Sequence, residues 1–93
     1  MAGKTKTVRA VRPLYAIARE VREDWRPVHP AARPYVDAME CLTSVRDSFG
    51  WDDGADVVLR FLGNARSWKG DTARRVKAEL RDALAGAPVE VDA

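Results

Sequence analysis

The sequence predicts an all-α fold, a compact bundle of about four helices with a flexible basic N-terminal arm. Four segments carry apolar residues at three- and four-residue spacing, each bounded by proline or glycine. No segment alternates apolar and polar residues between turn signals as a strand would. The 93 residues suffice for one domain. A chain this short buries only about 60 to 65% of the surface its unfolded form exposes, so a large cleft would consume its core.

Residues 1–12 are polar and basic without periodicity and read as the arm. The helical domain is expected over 13–86, with a frayed acidic tail at 87–93. Pro13 suits the first turn of a helix, and Leu14, Ile17, Ala18, Val21 and Trp25 share one face of it, down to about Arg26. Pro27 and Pro30 bound the next break. A second helix is expected from Ala31–Pro34 to Phe49 on the pattern Tyr35, Ala38, Met39, Leu42, Val45, Phe49, with Gly50 ending it. Asp52 or Asp53 is placed to cap a third helix, which carries Val57, Val58, Phe61, Leu62, Ala65 and Trp68. Gly63 interrupts this pattern, but Ala65 and Trp68 keep the same face, which favours one helix running nearly to Gly70. Asp71 is a natural cap for the last helix, Thr72 to Ala85, whose buried stripe is Ala73, Val76, Leu80, Ala83 and Leu84.

Charge is segregated along the chain although the formal net charge is only +2. Residues 1–12 carry four basic groups and no acid, residues 13–57 hold five basic and nine acidic groups, and residues 58–81 hold seven basic and two acidic. The stretch "NARSWKGDTARRVK", residues 64–77, is the densest part of that last block. On the last helix Arg74, Lys77 and Arg81 line one flank, and Arg75, Glu79 and Asp82 line the other. Arg75 has Glu79 four residues on as a partner, whereas Lys77 and Arg81 are like charges at that spacing. Arg66 and Lys69 extend the patch from the preceding segment, where they also suit a helix C-terminus. Three readings stay open for this surface: a solvated helix face, a phosphate-binding face aided by the basic arm, or a contact with an acidic protein or a second copy of the chain. The acidic residues Asp37, Glu40, Asp47, Asp52, Asp53 and Asp56 would serve the last. A helix-turn-helix fits poorly, because the third helix leaves no room for its tight turn.

No constellation carries catalysis. His29 lies between proline-rich turns and reads as an exposed or capping loop residue, and Cys41, among apolar positions, reads as a small buried hydrophobe. One cysteine and one histidine do not make a structural zinc site, and a single cysteine cannot form an internal disulfide. "WDDGADVV" lacks the acidic spacing and closing glutamate of a calcium loop, and no P-loop spacing with its Lys-Ser/Thr pair is present. Trp25 and Trp68 fit core positions. Trp51, in a loop beside acids, either covers a helix end or anchors a partner. No cofactor, metal, membrane or small-molecule substrate is expected. No apolar run reaches the length of a membrane span and nothing resembles a secretion signal, so the expected setting is the cytoplasm.

The segments "PYVDAMECLTSVRDSFGWDDGADVVLRFLGNARSWKGDTARRVKAEL", residues 34–80, and "AIAREVREDW", residues 16–25, resemble small uncharacterised helical proteins of phages, prophages and plasmids of Gram-positive bacteria. The features carrying the resemblance are a "PY…AM" helix start, a "D…FGWD" turn and "NARSWKGDTARRVKAEL". It implies a mobile-element origin and offers no enzymatic activity to carry over, and the alanine- and arginine-rich composition suits an actinobacterial host. The resulting expectation is a non-enzymatic accessory or regulatory protein that binds a macromolecule, foremost another protein. The alternative is a small DNA- or RNA-binding protein using the arm and the last helix. The expected contact residues are Arg66, Lys69, Arg74, Lys77, Arg81 and Trp51.

Overall fold

The computed structural model describes residues 12–50 and 52–86. The fold is all-α, with four helices: α1 (Leu14–Asp24), α2 (Arg33–Met39), α3 (Gly54–Gly63) and α4 (Asp71–Leu84). Two strands of two residues each, β1 (Ser48–Phe49) and β2 (Asp52–Asp53), form an antiparallel ladder with Ser48 opposite Asp53 and Phe49 opposite Asp52. The expected arm and acidic tail lie outside the described residues except for Arg12, which is fixed to the domain, as set out below.

Helix α1 forms where the apolar spacing places it, burying Leu14, Ile17, Ala18 and Val21. Its first N–H groups have no partner within the helix. Those of Leu14 and Tyr15 donate instead to the carbonyls of Thr43 and Leu42, both at 2.9 Å. This tie engages the chain just beyond α2. The second helix does not run to Phe49 but ends at Met39, where the Cys41 and Leu42 N–H groups tighten to bonds with the Ala38 and Met39 carbonyls, and the Leu42 and Thr43 carbonyls beyond it accept from α1 instead. Local side-chain bonds then hold the chain in a turn. The Asp47 carboxylate accepts the N–H groups of Thr43 and Ser44 at 2.8 and 3.0 Å, and Ser44 Oγ accepts that of Arg46 at 2.9 Å. Those two backbone bonds, Ser44 first, hold the Asp47 carboxyl below its ordinary range. Leu42 is nevertheless buried and Val45 packs against the core, so the apolar pattern tracks burial beyond the helix that seemed to explain it.

The start of α3 is capped by main chain rather than by an aspartate side chain. Asp53 is the N-cap residue but makes no side-chain cap bond, because the N–H groups of Gly54 and Ala55 already donate to Asp47 and Val45 carbonyls at 2.6 and 2.9 Å. The third helix also ends earlier than its periodicity suggests. It stops at Gly63, where Asn64 donates both its N–H and its side-chain amide to the Arg60 carbonyl. Glycine is a poor helix former, so little propensity opposes the break. Ala65 and Trp68 still reach the core, but from a loop spanning 64–70. Gly70, at φ +110°, turns that loop into α4, a conformation that side-chain-bearing residues rarely adopt. It is the N-cap residue, and Asp71, expected as the cap, lies instead in the first turn. From there α4 buries Ala73, Val76, Leu80 and Ala83, as its stripe predicts.

The helices pack α1 on α2 and α4, and α3 on α2 and α4, around a core that includes Phe61, Leu14, Ile17, Met39 and Leu80. Between α1 and the 64–70 loop lies an aromatic cluster. Trp25 and Trp68 stack at 5.6 Å between ring centroids with an interplanar angle of 6°, and Phe61 meets both edge-on at 6.5 and 6.3 Å. The Trp68 indole N–H donates to Asp24 Oδ2 at 2.8 Å, which satisfies the one polar atom of a side chain only 2% exposed.

Candidate anion-binding surface

The basic side chains divide into those neutralised within the fold and those that are not. Arg12 reaches across the α1–α4 seam, its Nη2 bonding Glu20 at 2.8 Å and Glu79 at 2.7 Å. Arg75 bonds the other oxygen of Glu20. The expected Arg75–Glu79 pair within α4 is therefore replaced by two pairs between elements, and Arg12 is an anchor rather than part of a loose arm. On the opposite face of α1, Arg22 holds Asp37 and, at 2.5 Å, Glu40. Two acids expected to form a docking surface are thus engaged inside the molecule, while Asp47 serves the turn after α2.

Both carboxyls of the α1–α4 network lie below the usual glutamate value of 4.5. For Glu20 the Arg75 bond is the largest cause. For Glu79 burial pushes upward, but the Arg12 bonds and charge prevail. A depressed carboxyl contributes stability that is present above its unfolded value and is lost as pH falls through the lower folded value. Thermal melts followed by circular dichroism should therefore show the midpoint falling as pH drops below about 4.5, and Arg12→Ala should flatten that dependence. An unchanged slope in Arg12→Ala would remove the network as its cause.

The cations of the 64–70 loop and the α4 flank are arranged differently. Because the chain breaks at Gly63 and returns to Gly70, it brings Arg66, Lys69, Arg74 and Lys77 around one shallow cavity of about 220 Å3, with Gly70 in its wall. Lys77 is half-buried. Its Nζ donates to the Trp68 carbonyl at 2.7 Å and lies over the Trp68 ring, 6.0 Å from the centroid. Burial lowers its ammonium below the ordinary lysine value, and the charges of Arg81 and Lys69 lower it further. Among the described residues no carboxylate pairs with Arg66, Lys69, Lys77 or Arg81.

Arg74 departs from the sequence expectation, which looked four residues ahead and found only an alanine. It pairs with Asp71, three residues back, in a contact where both side chains are largely exposed. Such exposed pairs contribute little and exchange readily with solvent or a competing anion. Of the six expected contact residues, four thus converge on the cavity. Arg81 is exposed one turn further along the α4 flank and does not line it, and Trp51 lies outside the described residues.

The remaining chemistry-bearing residues occupy ordinary places. His29 is exposed, and its Nδ1 accepts the Ala31 N–H at 3.0 Å, a loop-capping bond of the kind expected. Cys41, expected to be a small buried hydrophobe, is exposed just beyond the end of α2. A larger opening of about 520 Å3 lies between the start of α1, the 43–46 turn and the end of α4, with Arg12 and Arg46 among its lining residues and no carboxylate. No group of three or more potential metal ligands occurs among the described residues. The cavity itself could not be read from sequence. The basic residues were visible, but their convergence depends on the reversal at 64–70 and on the lodging of Lys77 against Trp68.

The fold and this surface together define an all-α protein with one basic end. Comparison with protein families, curated proteins and solved structures finds no match for the chain. No helix among the described residues is long and apolar enough to cross a membrane.

Proposed function

We propose that this protein is a non-enzymatic binding module whose basic end docks an anionic macromolecule, foremost nucleic acid. The observation that carries the reading is the gathering of Arg66, Lys69, Arg74 and Lys77 around one cavity, with a single exposed carboxylate, Asp71, as their ion partner among the described residues. Like charges brought together repel, and an external polyanion relieves that repulsion. The sequence expectation ranked a protein partner first. Protein interfaces centre on buried aromatic or aliphatic anchors. The large hydrophobic side chains exposed among the described residues are Tyr15 and Leu59, and neither lines the basic cavity.

An accessory or regulatory role in a mobile element is the setting suggested by the resemblance of residues 16–25 and 34–80, and it rests on that resemblance alone. The function itself is tested by fluorescence anisotropy of labelled duplex DNA and single-stranded RNA. With about four phosphate contacts, affinity should fall roughly a hundredfold between 50 and 200 mM salt. Charge reversal by Arg66→Glu with Lys69→Glu should abolish binding at the lower salt. Failure of every DNA and RNA to bind at low salt would overturn the nucleic-acid reading.

A second reading has one observation in its favour. Asp52, Asp53 and Asp56 are exposed at the N-terminal end of α3, the end away from the basic loop, and no cation pairs with them among the described residues. Copies of the chain could meet basic end to acidic end. This reading requires a solution mass above that of the monomer at low salt that returns to the monomer at high salt. A monomer at both salts would remove it.

A further inference from the structure

The geometry points to the cavity between the 64–70 loop and the first turn of α4 as a seat for one phosphate group, contributed by a nucleic-acid backbone. This deepens the proposed function and rests on it: that reading requires only a basic end, whereas a seat requires a particular place and particular roles. Four features define the place.

The first is enclosure. Cations spread over a convex helix face are each solvated separately, but Arg66, Lys69, Arg74 and Lys77 border a common hollow of about 220 Å3. A small tetrahedral anion entering it would lie among them. The second is the fixing of Lys77. Its Nζ is held by the Trp68 carbonyl at 2.7 Å and by the ring of the same residue, so its charge is positioned before any ligand arrives. A group already ordered loses little freedom on binding.

The third feature is a replaceable partner. Arg74 is joined to Asp71 at the rim in a pair that is almost fully solvent-exposed, and its planar fork suits a phosphate as well as a carboxylate. Exchanging Asp71 for phosphate would keep the guanidinium satisfied. The fourth is that, Asp71 apart, no carboxylate among the described residues pairs with the cations of the cavity. The carboxylates that neutralise cations elsewhere, Glu20, Glu79, Asp37 and Glu40, are committed to the α1–α4 seam and to Arg22. Gly70, as N-cap residue, brings no side-chain acceptor to the first turn of α4.

These features assign roles. Lys77 is the fixed anchor at the wall, Arg74 the exchanging clamp, and Arg66 with Lys69 the outer contacts that meet the neighbouring stretch of backbone. Nothing in this arrangement reads base edges, so recognition is independent of sequence. Loading the seat also places a negative charge beside an ammonium whose charged form is disfavoured by burial and by the charges of Arg81 and Lys69, so an anion there favours that charged form.

The test uses the full chain, labelled with 15N. Inorganic phosphate, titrated against chloride at matched ionic strength, should shift the amides of residues 69–74 and the Trp68 indole N–H saturably. The same signals should move first with a duplex DNA 20-mer. In Arg66→Ala with Lys69→Ala, both exposed and without an ion partner among the described residues, the slope of log affinity against log salt should become shallower by about two. Lys77→Met should remove the phosphate shifts, and because it disturbs the contact with Trp68, the exposed double variant serves as the second readout. If DNA binds in a salt-dependent way while phosphate moves no signal at 69–74, or moves signals elsewhere, the seat is refuted and the basic end remains. Equal binding of polyglutamate and DNA, without phosphate shifts, would likewise refute it in favour of an acidic protein partner. Loss of all polyanion binding would take the proposed function with it.

Discussion

Trp68→Ala should lower stability by about 3 to 5 kcal/mol and abolish binding at the basic end together. Trp68 is 2% exposed, stacked on Trp25 and edge-on to Phe61, so truncation opens a hole in a cluster whose other members are the C-cap residue of α1 and a residue of α3. It also leaves Asp24 without the indole N–H and Lys77 without the ring beneath its ammonium. Urea unfolding monitored by the remaining tryptophans measures the first effect. Trp68→Phe separates the contributions: it keeps an aromatic body and loses the hydrogen bond, so its cost should be nearer about 1 kcal/mol. If Trp68→Ala unfolds at the wild-type midpoint, the cluster does not hold the 64–70 loop.

Gly54→Ala is the second substitution expected to act strongly, by about 1 to 3 kcal/mol or more. A Cβ built at Gly54 would lie 2.7 Å from the Ser44 carbonyl oxygen and 3.0 Å from both the Cα and the oxygen of Val45. All three are main-chain atoms, and they belong to the turn whose carbonyls cap α3, so they cannot rotate aside as a side chain would. Gly63→Ala provides the contrast. Nothing lies within 4 Å of a Cβ there, and it ends a helix without requiring positive φ. That change should be neutral or stabilising by up to about 1 kcal/mol. Equal midpoints for the two alanine variants in denaturant would show that the close approach at Gly54 does not constrain the fold.

The contrast between these glycines indicates what the sequence discloses. The inward faces of α1, α3 and α4 are legible because a buried stripe repeats every three or four residues, and Leu14 to Val21 and Ala73 to Ala83 lie where that repeat places them. The ends of α2 and α3 are not. Past Met39 the chain gives its Leu42 and Thr43 carbonyls to α1, from earlier in the chain, a contact that no local pattern encodes. Ala65 and Trp68 are buried as the periodicity requires, yet they reach the core from a loop, so burial was predicted correctly and conformation was not.

The basic surface divides in the same way. Its side chains could be named from the sequence, but their neutralisation could not. Arg75 has an acid four residues on and instead bonds Glu20, 55 positions away, while Glu79 is held by Arg12, 67 positions away. Arg74, which looked unpaired in the forward direction, has Asp71 behind it. The cations around the cavity are distinguished less by local spacing than by what the α1–α4 seam and Arg22 withdraw from the acidic side of the balance.

The most direct measurement is a map of backbone amide shifts in the 15N-labelled protein as a duplex DNA 20-mer is added at low salt. The largest changes should fall within residues 64–81, centred on Lys69 to Lys77, and should reverse when salt is raised to about 200 mM. Changes confined to residues outside that stretch, or a spectrum that DNA leaves unaltered at low salt, would contradict the assignment of binding to this end of the molecule.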